Sequence, residues 1–336
     1  MRSTINRRLL YGATVLAAGA MFFFTSCTER YVEGSGNGGN ASMSTVRVPL
    51  QWPDPSNDTL GLPSKGMKYV FLPASVSVST VSHSSAGFYS HFQGALPVGN
   101  YSLLVYTSGV SGLTLVDDMQ FDKAAVCAVP VASGEEGATV SSNSMIAACG
   151  RFWGASLGGV SVPAAGITTA TVQPLSLTSQ IRLQVQNHTT VGIDSISGVF
   201  RGLVQSRLLR NGQPVSSTAR SAYAFGSSVV QTKASNATFS SVFRTLGVYD
   251  PLSTAHPYSN VLTLTAWLSN GKQITTDIDI STKIHDALSA TDAGVNAALN
   301  TAVELGIVLD AISGNGIDTT VTVKAWEDGG EIWQDI

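Results

Sequence analysis

The sequence predicts an all-β protein with at most one short helix, on three observations. Apolar and polar residues alternate over many short stretches, Gly, Pro, Asn, Asp and Ser recur between those stretches, and only one stretch carries helical spacing. Strands do not alternate with helices, which argues against a parallel α/β sheet. No repeat of fixed period is present.

The composition agrees. A chain of 336 residues is long enough for two ordinary domains. Charged residues are 12% of it, against roughly 25% in soluble proteins generally. Hydrophobic residues are 43%, so the low charge does not signal disorder. The net charge is -3 and Lys and Arg form no run, so nucleic acid is not an expected partner.

The chain opens on Arg2, Arg7 and Arg8, followed by the uncharged apolar stretch 9–24. Its sixteen residues are short of the about 20 that a spanning helix needs and match the apolar region of a signal peptide. Thr25-Ser26-Cys27 comes directly after and resembles the box cut by lipoprotein signal peptidase. Residues 1–26 are therefore expected to be removed. Cys27 would then be the first mature residue, its thiol carrying diacylglycerol through a thioether. Residues 27–43, with glycines at 34, 36, 38 and 39, read as a flexible tether.

The body begins with an expected strand over 46–50. Val46, Val48 and Leu50 share one face, and Pro49 suggests a sheet edge. Further strands are expected over 67–72, 74–81, 101–107, 138–148 and 168–173, with 101–107 apolar enough to be central. Residues 150–166 read as a loose Gly-rich segment. A boundary near Pro174 divides domains 44–174 and 175–336. In the second, 175–187 places Ile181, Leu183 and Val185 on one face. Strands are expected over 193–209, 221–232, 237–246 and 261–269, the last passing through the hairpin signal Asn270-Gly271 into 272–280. The one expected helix spans 284–303, and 304–310 and 319–325 close the fold as strands.

Little in the chain suggests chemistry, and no catalytic residue, metal or cofactor is expected. Gly154-Ala155-Ser156-Leu157-Gly158 matches a nucleophile elbow, but the next residues, Gly159-Val160-Ser161-Val162-Pro163, lack helical character. His83, His91, His188, His256 and His285 have no metal-ligand spacing. Asp277 and Asp279 share a strand face without a calcium-loop pattern. Asp117-Asp118 and Glu135-Glu136 read as turn residues. Trp267 is expected in the core, and Trp153 and Trp333 are the candidates for an exposed carbohydrate platform. Cys127 and Cys149 lie 22 positions apart in a chain that leaves the cytoplasm. They form either a disulfide or two thiols packed as small apolar groups.

Several segments carry a likeness to a known family. They are the leader with Cys27, the entry strand ending at Trp52, the run Leu96-Pro97-Val98-Gly99-Asn100-Tyr101-Ser102-Leu103-Leu104-Val105-Tyr106 and Ile196-Ser197-Gly198-Val199-Phe200. To these add Leu262-Thr263-Leu264-Thr265-Ala266-Trp267-Leu268 and the ending Val321-Thr322-Val323-Lys324-Ala325-Trp326-Glu327-Asp328. In this order they resemble the fimbrillin-type lipoproteins of Bacteroidales, the superfamily of type V pilus subunits and anchors. The resemblance implies two tandem transthyretin-like β-sandwich domains and attachment to the outer membrane through lipid on Cys27. It also implies other fimbrial subunits as partners, with assembly by β-strand exchange. Shaft subunits of this kind lose their lipid and first strand to an Arg-specific protease. Here Arg47 lies inside the first strand and Arg30 only three residues after Cys27, which favours an uncleaved anchor. Asp58-Thr59-Leu60, Asp194-Ser195-Ile196 and Asp318-Thr319-Thr320 resemble the O-glycosylation tripeptides of the same bacteria, with Thr59, Ser195 and Thr319 as acceptors. The alternative function is a surface glycan- or protein-binding lipoprotein outside any pilus.

Overall fold

The computed structural model describes residues 42–52, 66–75, 80–85, 91–131, 143–215, 220–226, 228–231, 237–250, 258–289, 302–313 and 316–326. The first strands are β1 (Met43–Pro49), β2 (Met67–Pro73), β3 (Val81–Ser85), β4 (His91–Pro97), β5 (Gly99–Thr107), β6 (Leu113–Val116) and β7 (Ala125–Ala128). Next come β8 (Asn143–Met145), β9 (Trp153–Val162), β10 (Ile167–Thr169), β11 (Leu175–Ser176), β12 (Ser179–Asn187), β13 (Ile193–Leu203) and β14 (Ser206–Leu208). The last are β15 (Arg220–Gly226), β16 (Ser228–Gln231), β17 (Thr238–Thr245), β18 (Val261–Leu268), β19 (Gln273–Asp279), β20 (Ala302–Ser313) and β21 (Gly316–Trp326). A single helix, α1 (Ser281–Ser289), is present among the described residues. The all-β sandwich class read from the sequence is the class observed.

A three-stranded sheet, β10-β1-β4, lies over one face of a five-stranded sheet, β11-β9-β5-β2-β3. Between them Val46 and Val48 of β1 meet Tyr69 and Phe71 of β2 and Leu103 and Val105 of β5 in one core. The other face of β2 and β5 is buried too. Val70, Leu72, Leu104 and Tyr106 belong to a second, larger core that continues through the C-terminal half. With both faces covered over most of their length, β2 and β5 read as largely apolar runs, with Lys68, Asn100 and Ser102 near their ends.

The C-terminal half is a sandwich of two five-stranded sheets, β16-β17-β12-β20-β21 and β19-β18-β13-β15-β8. Ile181, Leu183 and Val185 of β12 face Ile196 and Phe200 of β13 and Leu262 and Leu264 of β18 across the larger core. Hydrogen bonding crosses Pro174. Strand β7 pairs with β14 (Cys127 opposite Ser206), and β8 adds parallel to β15 (Asn143 opposite Arg220).

Several expectations are corrected. Strand β1 is not an edge strand. It is the centre of its sheet, antiparallel to β4 and parallel to β10. Pro49 is tolerated because it is the last residue of the strand and uses its carbonyl, which accepts the Val172 N–H, where its missing N–H would leave a gap in the ladder. The segment 150–166 is not loose, for β9 occupies most of it between β5 and β11. Its glycines form a β-bulge, with Gly159 at φ 75° and the register shifting between Tyr101 and Leu103. Of the strand expected over 74–81, Ala74 and Ser75 form a bend, β3 begins at Val81, and 76–79 lie outside the described residues. Strands β4, β6 and β7 have no counterpart among the expected strands. The helix starts at Ser281, where the Asp279 carboxylate accepts the Ser281 backbone N–H at 2.9 Å. Val303, the expected helix end, lies in β20. The Asn270-Gly271 hairpin forms, but only Gly271 takes a positive φ, 80°, so its turn is not the two-residue type with both central residues left-handed.

Candidate functional site

The first strand comes after the expected tether. Over its seven residues β1 is registered with β4 from Met43 opposite Pro97 to Pro49 opposite His91. On its other edge Thr45, Val46 and Arg47 face Ile167, Thr168 and Thr169. The Arg47 carbonyl accepts the Ala170 N–H at 2.9 Å, and the Pro49 carbonyl the Val172 N–H at 3.2 Å. The inward side chains Val46, Val48 and Leu50 are buried while Arg47 is exposed. Burial of each such side chain is worth about 1.5–3 kcal/mol. The Arg47 side chain is thus accessible, but its backbone is held extended from both sides. Cys27 and Thr59 lie outside the described residues.

The two later cysteines are free thiols. In the structure the two are not bonded to each other and have separate neighbours. Cys127 sits in β7, flanked by β6 and β14. The Cys149 S–H instead meets the Arg244 carbonyl at 3.4 Å. Burial pushes the Cys149 thiol up to about 12, outweighing the lowering by the nearby Arg244 guanidinium. Burial raises Cys127 as well. Both are protonated, unreactive groups at neutral pH.

The remaining chemical candidates are dispersed. Ser156 lies within β9, which runs on to Val162 with no helix after the serine, and its hydroxyl donates to the Arg210 carbonyl at 2.5 Å. His285 Nδ1 pairs with Asp250 at 2.9 Å. No cluster of three or more His, Cys, Asp or Glu suited to a metal occurs among the described residues. Asp277 accepts the Thr263 hydroxyl at 2.5 Å, and Asp279 caps α1, so the two carboxylates have separate partners. Asp118 is more than a turn residue. It accepts the Tyr106 hydroxyl at 2.9 Å and the Lys68 ammonium at 3.3 Å, tying the turn after β6 to β5 and β2. Of the expected O-glycosylation acceptors, Ser195 and Thr319 are half-buried on β13 and β21. Glu135, Glu136, His256 and Trp333 lie outside the described residues.

The tryptophans exchange roles. Trp153 is 3% exposed and packs edge-on against Trp52 at 5.2 Å between ring centres, so it is no platform. Trp267, expected in the core, is 45% exposed. Its neighbours Ala266 and Leu268 point inward and are buried, so strand alternation turns Trp267 outward. The signal was present in the sequence as the alternation Leu262, Leu264, Ala266, Leu268, on which Trp267 is out of phase.

No family model matches the sequence, and no curated protein sequence matches it. Solved structures do. A Bacteroides thetaiotaomicron protein described as a candidate polysaccharide-binding protein superposes with a TM-score of 0.56 at 10% identity, covering 86% of this chain and 100% of its own. A Bacteroides ovatus protein described as a candidate adhesin gives 0.55 at 13% identity, covering 73% and 85%. The fimbrial anchor protein Mfa2 of Porphyromonas gingivalis gives 0.51 at 10% identity, covering 84% and 98%. At these identities the likeness is one of fold. It is the fold that the resemblance to fimbrillin-type Bacteroidales proteins implied.

Proposed function

We propose that this protein is a component of a cell-surface fimbrial or adhesive assembly, held to the outer membrane by lipid on Cys27, and that it serves as an uncleaved anchor. The observation that carries this reading is the placement of β1 between two partners. Cleavage at Arg47 needs that backbone to leave both β4 and β10 and to expose Val46, Val48 and Leu50. A subunit that keeps this strand has its own sheet complete and offers no groove there to a neighbour's strand. The shared fold with a fimbrial anchor and with candidate adhesins supports the same role. Exchange of a strand elsewhere in the fold, with another fimbrial subunit as partner, remains part of the proposal.

N-terminal analysis of the protein taken from cells tests it. The expected chain begins at a lipid-modified Cys27 and, after gentle crosslinking, is captured with other fimbrial subunits. A lipid-free chain beginning at Val48 would identify a shaft subunit and overturn the anchor reading. Partition of Cys27→Ser into detergent at the wild-type size would remove the lipid.

A further inference from the structure

We infer that the outer face of the β13-β18-β19 surface binds carbohydrate, a short stretch of a neutral polysaccharide, with Trp267 as its stacking platform. This goes beyond the assembly role and does not depend on it. The indole stands in the middle strand of three, opposite Ser195 on β13 and Gln273 on β19. The next row along the strands holds Ser197, Thr265 and Thr275, and the two threonine hydroxyls lie 3.1 Å apart. An aromatic ring is therefore followed directly by hydroxyl groups. Strand spacings make this surface about 10 Å across three strands and about 13 Å over three rows.

That arrangement matches the two-sided chemistry of a sugar. A pyranose presents an apolar C–H face, which stacks on an indole, and a rim of hydroxyls that donate and accept hydrogen bonds. The groups around Trp267 are held on paired strands, so little conformational freedom is lost on binding. The charge on the face disfavours an anionic ligand, since the exposed carboxylates of Asp194 and Asp279 have only neutral hydrogen-bond donors. Arg201 donates to the Thr263 hydroxyl, Thr263 to Asp277, and the guanidinium lies 4.0 Å from that carboxylate, so the two charges cancel. Asp194 is occupied by the Ser269 hydroxyl at 2.6 Å. Protein docking fits less well. An interface needs a contiguous apolar centre, and beside Trp267 the described residues of this face offer only the half-buried Val199 and Val261, neither in the row of the indole nor in the next. The position is also open. Trp267 lies near the β18-β19 hairpin, at the end of the sheet away from Arg220–Ala222, where β8 joins.

Affinity electrophoresis of the full chain, purified in a detergent without a sugar head group, tests the inference. Gels would contain a soluble glucan, mannan or xylan, with alginate as an anionic contrast. Retardation by at least one neutral polysaccharide is expected. Trp267→Ala should abolish it, and Thr275→Ala should weaken it several-fold. An unchanged thermal melt would certify that both variants fold. The inference fails if no neutral polysaccharide retards the protein, if alginate alone does so, or if Trp267→Ala binds as the wild type does. Loss of self-association in Trp267→Ala without any carbohydrate effect would make the face a protein interface and likewise overturn it.

Discussion

The central sheet of the N-terminal half and the β19-β18-β13-β15-β8 sheet are both five-stranded, yet they are used differently. In the first, adjacent residues of β5 serve two cores: Leu103 and Val105 face β1, and Leu104 and Tyr106 face the larger core. In the second, β18 buries Leu262, Leu264, Ala266 and Leu268 and turns Thr263, Thr265 and Trp267 outward. A sheet covered on both faces has no surface to offer a ligand. A sheet covered on one face keeps an array of side chains that packing does not dictate. The fold thus separates a sheet buried on both faces, packed on the first strand, from a presenting sheet with one face open.

The most severe test of this contrast is a charge on either face of β5. Leu103→Asp and Leu104→Asp should each lower stability by more than about 4 kcal/mol, since both bury an unpaired carboxylate. Urea unfolding followed by tryptophan fluorescence would measure it, and tolerance of either substitution would show that one face is open. The inner face of the presenting sheet should be nearly as intolerant. A Cβ on Gly198 would run first into the backbone carbonyl of Thr263 on β18 and then stand 2.7 Å from the Phe225 ring, which itself stacks on Phe243. Gly198→Ala should therefore cost about 1–3 kcal/mol by overpacking, measurable as a lower urea midpoint with an unchanged slope.

A third prediction concerns the segment that joins the two regions. The Cys149 N–H donates to the Arg244 carbonyl at 2.9 Å, linking the chain after β8 to β17. The unfolded thiol releases its proton near its ordinary value of 9.0 and the folded one near 12. Between those values the folded state binds more protons, so stability falls as pH rises, with a slope of up to about 1.4 kcal/mol per pH unit. Cys149→Ala should lack this component, which equilibrium unfolding at pH 8 to 11 would reveal as a flatter profile. The smallest effect is expected on the outer face. Thr265→Asp and Trp267→Ala should each change stability by no more than about 1 kcal/mol. A loss of several kcal/mol at Trp267 would mean that the ring supports the fold and would erase the distinction between the two sheets.

Much of the architecture was legible in the chain. The alternation of Ile181, Leu183 and Val185, and that of Leu262, Leu264, Ala266 and Leu268, was enough to place strands half-buried, because side chains on a strand point alternately to its two faces. Turn residues marked the β18-β19 hairpin, and a single helical segment limited α1. Local signals failed where long-range pairing overrode composition. Strand β9, rich in Gly and Ser, exists because β5 and β11 lie on either side of it, and β1 is central despite Pro49 because that residue ends the strand and still pairs through its carbonyl with Val172. The free state of Cys127 and Cys149 is likewise a matter of tertiary placement, since sequence separation does not say where two thiols point. By itself the sequence determined which residues alternate, where the chain turns and how it begins: Arg-rich, then apolar, then cysteine. Only the tertiary structure decided which strands meet, which sheet is buried twice, and that Trp267 rather than Trp153 faces solvent, because burial depends on contacts between residues far apart in the chain.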